Sequence, residues 1–183
     1  MSLACLLSFS ASAHDNNLAT INIRHLGPDQ WVFELMAPLE GLDHALRSAN
    51  KSNSVDVESL EVGSVEYKQQ LIGYIKENYN LFAIKSESTA QPNTRIRTYL
   101  GRGKIKLDDH MTQFIFEIKE MPAMPEKLEF HFPYMVENRT QNNIVRLING
   151  KQHVRYTLSA ANDFFGEDNG FFIVIPATRS WNG

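Results

Sequence analysis

Cysteine is almost missing from this sequence: the 183-residue chain contains one, Cys5. That excludes a disulfide framework and any metal site built on several thiolates. Long apolar runs are missing too. Nothing approaches the ~20 consecutive apolar residues of a membrane-spanning helix, so no integral helical span is expected. Basic excess is absent: 18 Lys and Arg stand against 21 Asp and Glu, a formal net charge of −3, which argues against a general nucleic-acid binder. The local signatures of familiar enzymes are lacking as well, with no Gly-x-Ser-x-Gly, phosphate-cradling glycine loop or HExxH.

What is present begins with a charge-free start. Leu3 to Phe9 is a short apolar stretch, Ala11-Ser12-Ala13 has the small-x-small form that signal peptidase accepts, and the first acidic or basic side chain is Asp15. The segment reads as a signal peptide over 1–13, followed by a single domain over 14–183 that begins at His14 in the periplasm or outside the cell. The cysteine leaves with the signal, so the domain depends on its core alone. A hydrophobic content of 43% and 11 phenylalanines suit that role.

Period-two alternation dominates the rest. Ala19, Ile21 and Ile23 point one way and Thr20, Asn22 and Arg24 the other. Gly27 to Gln30 forms a turn, and Trp31, Phe33 and Leu35 continue the alternation to complete a hairpin. Pro38 to Ser48 predicts a short helix and Val65 to Tyr79 a longer one, capped by Ser64. Strands follow at Leu81–Lys85, Thr94–Leu107, Met111–Glu120 and Lys127–Tyr134. Asn143–Ile148 and His153–Ser159 flank Asn149-Gly150, a pair suited to a type I′ turn, and Phe171–Ile175 closes the series. The whole predicts a mainly β fold, an antiparallel β-sandwich with one or two helices inserted after the first hairpin.

Two stretches carry a resemblance. LEGLDHALR (Leu39 to Arg47) and QNNIVRLINGKQHVRYTLSAAND (Gln141 to Asp163), with the start at His14-Asp15, resemble a family of small exported bacterial proteins of unknown function. A weaker likeness is to the exported N-terminal domain of hydrogenase/urease accessory permeases, which are linked with nickel. The chain lacks their transmembrane helices, so nickel transport does not carry over. The resemblance implies export and a β-rich fold, and no activity.

Three groups of residues are candidates for chemistry. A mature N-terminal His14 offers copper(II) an α-amine and an imidazole, and Asp108 and His110 in LDDH add oxygen and nitrogen donors. This resembles small periplasmic copper-binding β-sandwiches, without their methionine-rich copper(I) stretch; Asp108, Asp109 and His110 equally suit a solvated turn. TRIRTYLGRGKIK concentrates Arg95, Arg97, Arg102, Lys104 and Lys106, a stripe for an anionic partner or a solvated sheet face. NDFFGEDNG supplies Asp163, Glu167, Asp168 and Asn169 without the spacing of a calcium loop. His153 sits beside Lys151 and Arg155, which disfavours a metal cation. The expectation is a non-enzymatic binding or accessory module of the cell envelope, with an envelope protein or small ligand as partner and no cofactor. The alternatives are a periplasmic copper(II)-binding protein and a hydrolase whose residues lie apart in sequence.

Overall fold

A computed structural model describes residues 18–27, 29–50, 57–85, 94–108, 111–123, 125–131, 142–158 and 171–174. The expected first hairpin is β1 (Leu18–Gly27) and β2 (Gln30–Ala37), paired antiparallel from Thr20↔Met36 to Gly27↔Gln30. Helices α1 (Leu39–Ala49) and α2 (Val65–Glu77) follow, then β3 (Asn80–Lys85), β4 (Thr94–Arg97), β5 (Tyr99–Lys106), β6 (Thr112–Lys119), β7 (Lys127–His131), β8 (Asn142–Asn149), β9 (Gln152–Leu158) and β10 (Phe171–Val174). They form a six-stranded sheet in the order β5-β6-β2-β1-β8-β9 and a four-stranded sheet in the order β10-β7-β3-β4. The fold is mainly β, a sandwich with two helices inserted after the first hairpin.

Alternation explains the core. Ile21 and Ile23 of β1, Phe33 and Leu35 of β2, Phe114 of β6, and Val145 and Leu147 of β8 are all fully buried on one side of the large sheet. Leu81 and Ala83 of β3 and Leu128 and Phe130 of β7 supply the facing layer. Phe33 joins the two sheets, its ring 5.3 Å from Tyr79 edge-on and 6.4 Å from Phe130. Each of the Ile, Leu, Val and Phe side chains among them contributes about 1.5–3 kcal/mol of burial. The helices complete the core with Leu42, Ala45 and Leu46 of α1 and Tyr67, Leu71, Tyr74 and Ile75 of α2. The buried stripe of α2 thus runs through Tyr67 and Tyr74, and Ile72 lies at its margin. Ser64 caps α2, its Oγ accepting from the Tyr67 N–H at 3.0 Å. Arg47 fastens α1, donating to Asp43 and to the Val57 carbonyl, both at 2.8 Å.

The structure departs from the sequence expectation in three places. The strand expected over Thr94–Leu107 is two strands in different sheets, broken at Thr98. Thr98 is buried, and both its N–H (2.9 Å) and its hydroxyl (2.8 Å) donate to the Leu81 carbonyl. The hydroxyl's one proton is spent there, so the Tyr79 hydroxyl, 2.9 Å away, donates to Thr98 Oγ1. This pinned corner sends the chain from one layer to the other. A second departure is the β1–β8 pairing, which is parallel from Leu18↔Asn142 to His25↔Asn149. The third is the last hairpin turn. Asn149 pairs with Gln152, which leaves Gly150 and Lys151 as the central residues. Gly150 has φ +57° and Lys151 does not have positive φ, so the turn falls one residue later than expected and has the φ signs of type II′.

Beyond Thr98, β5 carries a bulge between Leu100 and Gly103. A Cβ at Gly103 would overlap the Phe116 ring and lie 2.5 Å from the Ile115 carbonyl oxygen, so only glycine fits this close approach.

Candidate functional site

The outward side chains of the large sheet fall into registered rows. One runs Lys104, Ile115, Glu34, Asn22, Arg146, Arg155 across all six strands. The next holds Glu117, Val32, Arg24, Ile148 and His153, and on the other side Gln113, Met36, Thr20, Ile144 and Thr157 are aligned. A solvated face is the ordinary fate of such polar positions. Here the centre is closed: Thr20 is 7% exposed and Asn22 2%.

Glu34 organises that centre. It accepts from Asn22 Nδ2 at 2.8 Å, from Arg24 Nε at 3.1 Å and from Gln113 Nε2 at 2.7 Å. Burial by itself raises the carboxyl pKa. The hydrogen bonds from Asn22, Gln113 and Arg24, with the charge of Arg24, outweigh it and leave Glu34 below the usual glutamate value. Glu34 is therefore ionised at neutral pH with both oxygens occupied. A general base works best with a pKa near the working pH, and Glu34 is shifted away from it, so this carboxylate is suited to hold its neighbours in place.

Beside this network the β8–β9 hairpin forms an open cleft of about 280 Å³, lined by Arg146, Ile148, Gly150, Lys151, His153 and Arg155. Arg146 and Arg155 are directly opposite each other across the antiparallel pair, and Ile148 is opposite His153. No acidic side chain lines the cleft. Among the described residues the salt bridges are Arg24–Glu34, Arg47–Asp43, Arg95–Glu129 and Lys119–Glu117, so neither arginine of the cleft has a carboxylate partner.

The basic stretch singled out in the sequence is divided by the Thr98 corner. Arg95 and Arg97 stand on the four-stranded sheet. Arg95 forms a bidentate pair with Glu129 (2.7 and 2.8 Å) and lies 3.5 Å over the Phe82 ring. Arg97 lies 5.6 Å from the centre of the Tyr99 ring. Lys104 and Lys106 project from the outer face of the six-stranded sheet at its β5 edge, opposite the β9 edge, and Arg102 lies in the β5 bulge. These five side chains do not form one patch.

Asp108 is exposed just after β5, whereas His14, Asp109 and His110 lie outside the described residues, as do the 1–13 signal segment and Asp163 to Asn169. Among the described residues no three His, Cys, Asp or Glu side chains are grouped to hold a metal ion. No described helix is long and apolar enough to cross a membrane.

Arg146 was not singled out by sequence reasoning, and Lys151 and Arg155 entered only as neighbours of His153. The signal lies in the turn. With Asn149-Gly150 as central residues, Arg146 would face His153; moving the turn one residue keeps every side chain on its face but sets Arg146 against Arg155.

No protein-family model matches the chain, and no curated protein matches it.

Proposed function

We propose that this protein is an exported, non-enzymatic binding module of the bacterial cell envelope, and that the outer face of its six-stranded sheet is the binding surface. One observation carries the reading: the polar side chains Asn22, Arg24 and Gln113 of that face are held in place by hydrogen bonds to Glu34, with Arg24 still reaching solvent. Fixed polar groups on a rigid sheet form a preorganised recognition surface, because little side-chain freedom is lost when a partner arrives. Its three donors and its pKa below the usual glutamate value suit Glu34 to holding the face in place rather than to general-base chemistry, which supports binding over hydrolysis.

Two measurements test the proposal. Intact mass of the protein recovered from a periplasmic extract should correspond to a chain starting at His14; a full-length mass would overturn the export reading. A photo-crosslinking residue at Ile115, which is 40% exposed on the outer face, should capture an envelope component. The same residue at Arg97, on the other sheet, should not. Equal capture from both positions would remove the binding-surface assignment.

A further inference from the structure

We infer that the β8–β9 cleft is a site for a phosphoryl-bearing anion, held between Arg146 and Arg155. The inference deepens the binding reading above and rests on the same outer face. Like charges directly opposite each other on neighbouring strands are destabilising. Here two guanidiniums occupy such a pair, Arg146 half-buried and Arg155 exposed, with Lys151 and His153 lining the same cleft. The nearest organised carboxylate, Glu34, is two strands from Arg146 and already engaged by Asn22, Arg24 and Gln113. The cations are therefore uncompensated by acidic side chains of the described structure, and an anion seated between them would turn the repulsion into attraction.

The charge count selects the ligand class. Two arginines and a lysine present three permanent positive charges, more than a single carboxylate balances. A phosphate monoester carries about −1.5 to −2 at neutral pH and offers three acceptor oxygens. Guanidinium forks match phosphate geometry through paired N–H···O bonds, and the ammonium of Lys151 adds a mobile point charge. A volume of about 280 Å³ is at the small end for ligand pockets. It accommodates a phosphoryl group on a small polar body, with Ile148 as the one apolar wall. That chemistry is shared by a free phosphorylated metabolite and by a phospholipid headgroup.

The experiment titrates the full chain with pyrophosphate by calorimetry and, in a second arm, with vesicles of phosphatidylglycerol in phosphatidylcholine. Saturable binding of pyrophosphate supports a free phosphorylated ligand; binding confined to the phosphatidylglycerol vesicles supports a headgroup. In either arm R146Q and R155Q should each weaken binding about tenfold or more, as expected for charge-assisted hydrogen bonds. R97Q, on the other sheet, should bind as the unaltered chain does. Unchanged far-ultraviolet dichroism and melting temperature in R146Q and R155Q would show that their loss is local; should either unfold, R146K, which keeps charge but loses the fork, gives the same readout. No binding in both arms, or equal binding by unaltered chain, R146Q and R155Q, overturns the inference. If that happens while crosslinking from Ile115 persists, only the phosphoryl site falls; loss of both removes the binding surface itself.

Discussion

Glu34 shows how one residue can decide the character of a whole face. Its carboxylate collects donors from β1 and β6, so the outer side of the large sheet is tied across three strands by side chains as well as by backbone. Glu34→Gln turns one acceptor oxygen into an NH2 group facing these donors, and should lower unfolding stability at pH 7 by about 1–3 kcal/mol. The sign with pH follows from the lowered carboxyl pKa. The stabilisation is fully present above the pKa of an unfolded glutamate and is lost as pH falls through the lower folded value. Urea unfolding at pH 7 and at pH 3 should therefore show the gap between unaltered chain and Glu34→Gln narrowing in acid. A gap constant with pH would mean that the carboxylate's charge contributes nothing. Tyr79 is a contrasting case, in which burial pushes the phenol well above the ordinary tyrosine value. It remains a neutral donor.

At the scale of elements, the β8–β9 turn is the most exacting feature. Gly150 takes φ +57°, which a β-branched residue resists, whereas Lys151 does not have positive φ. Gly150→Val should cost about 1–2 kcal/mol, the usual scale of left-handed strain. Lys151→Val should remain within about 0.5 kcal/mol, as exposed substitutions generally do. Equal losses measured by denaturant midpoints would mean that Lys151 also takes positive φ, as in a type I′ turn centred on Gly150-Lys151. Most strands were legible in the sequence because alternation reports which side of a strand is apolar, as Phe114, Phe116 and Ile118 do on β6. Partnership is not written there. Nothing in Thr98 announces that β4 and β5 belong to different sheets, because its role depends on Leu81 and Tyr79, 17 and 19 residues away. The cationic cleft was missed for the same reason: Arg146 and Arg155 look unrelated until the turn sets their register. The divided stripe from Arg95 to Lys106 is the converse, a cluster in sequence that the corner disperses.

Across the whole molecule, the two layers depend on a few aromatic contacts. Phe33 reaches from β2 to Tyr79 and Phe130, so its ring is shared by both sheets. Phe33→Ala should cost about 3–5 kcal/mol and loosen both layers together. Fluorescence and far-ultraviolet dichroism should still report one coincident unfolding transition at a lower denaturant concentration. Separate transitions would mean that the sheets are stabilised independently. The parallel junction of β1 with β8 has a further effect, on timing. It joins residues 124 apart, and both strands lie inside the sheet, not at its rim. A chain emerging N-terminus first can form the β1–β2 hairpin early, but the other edge of β1 stays bare until β8 arrives. At a synthesis rate of roughly 5–20 residues per second, the 124-residue separation keeps that edge open for roughly 6–25 s. Under the export proposed above, that interval is useful: the sheet cannot close around its own middle while the chain still has to be threaded through a pore.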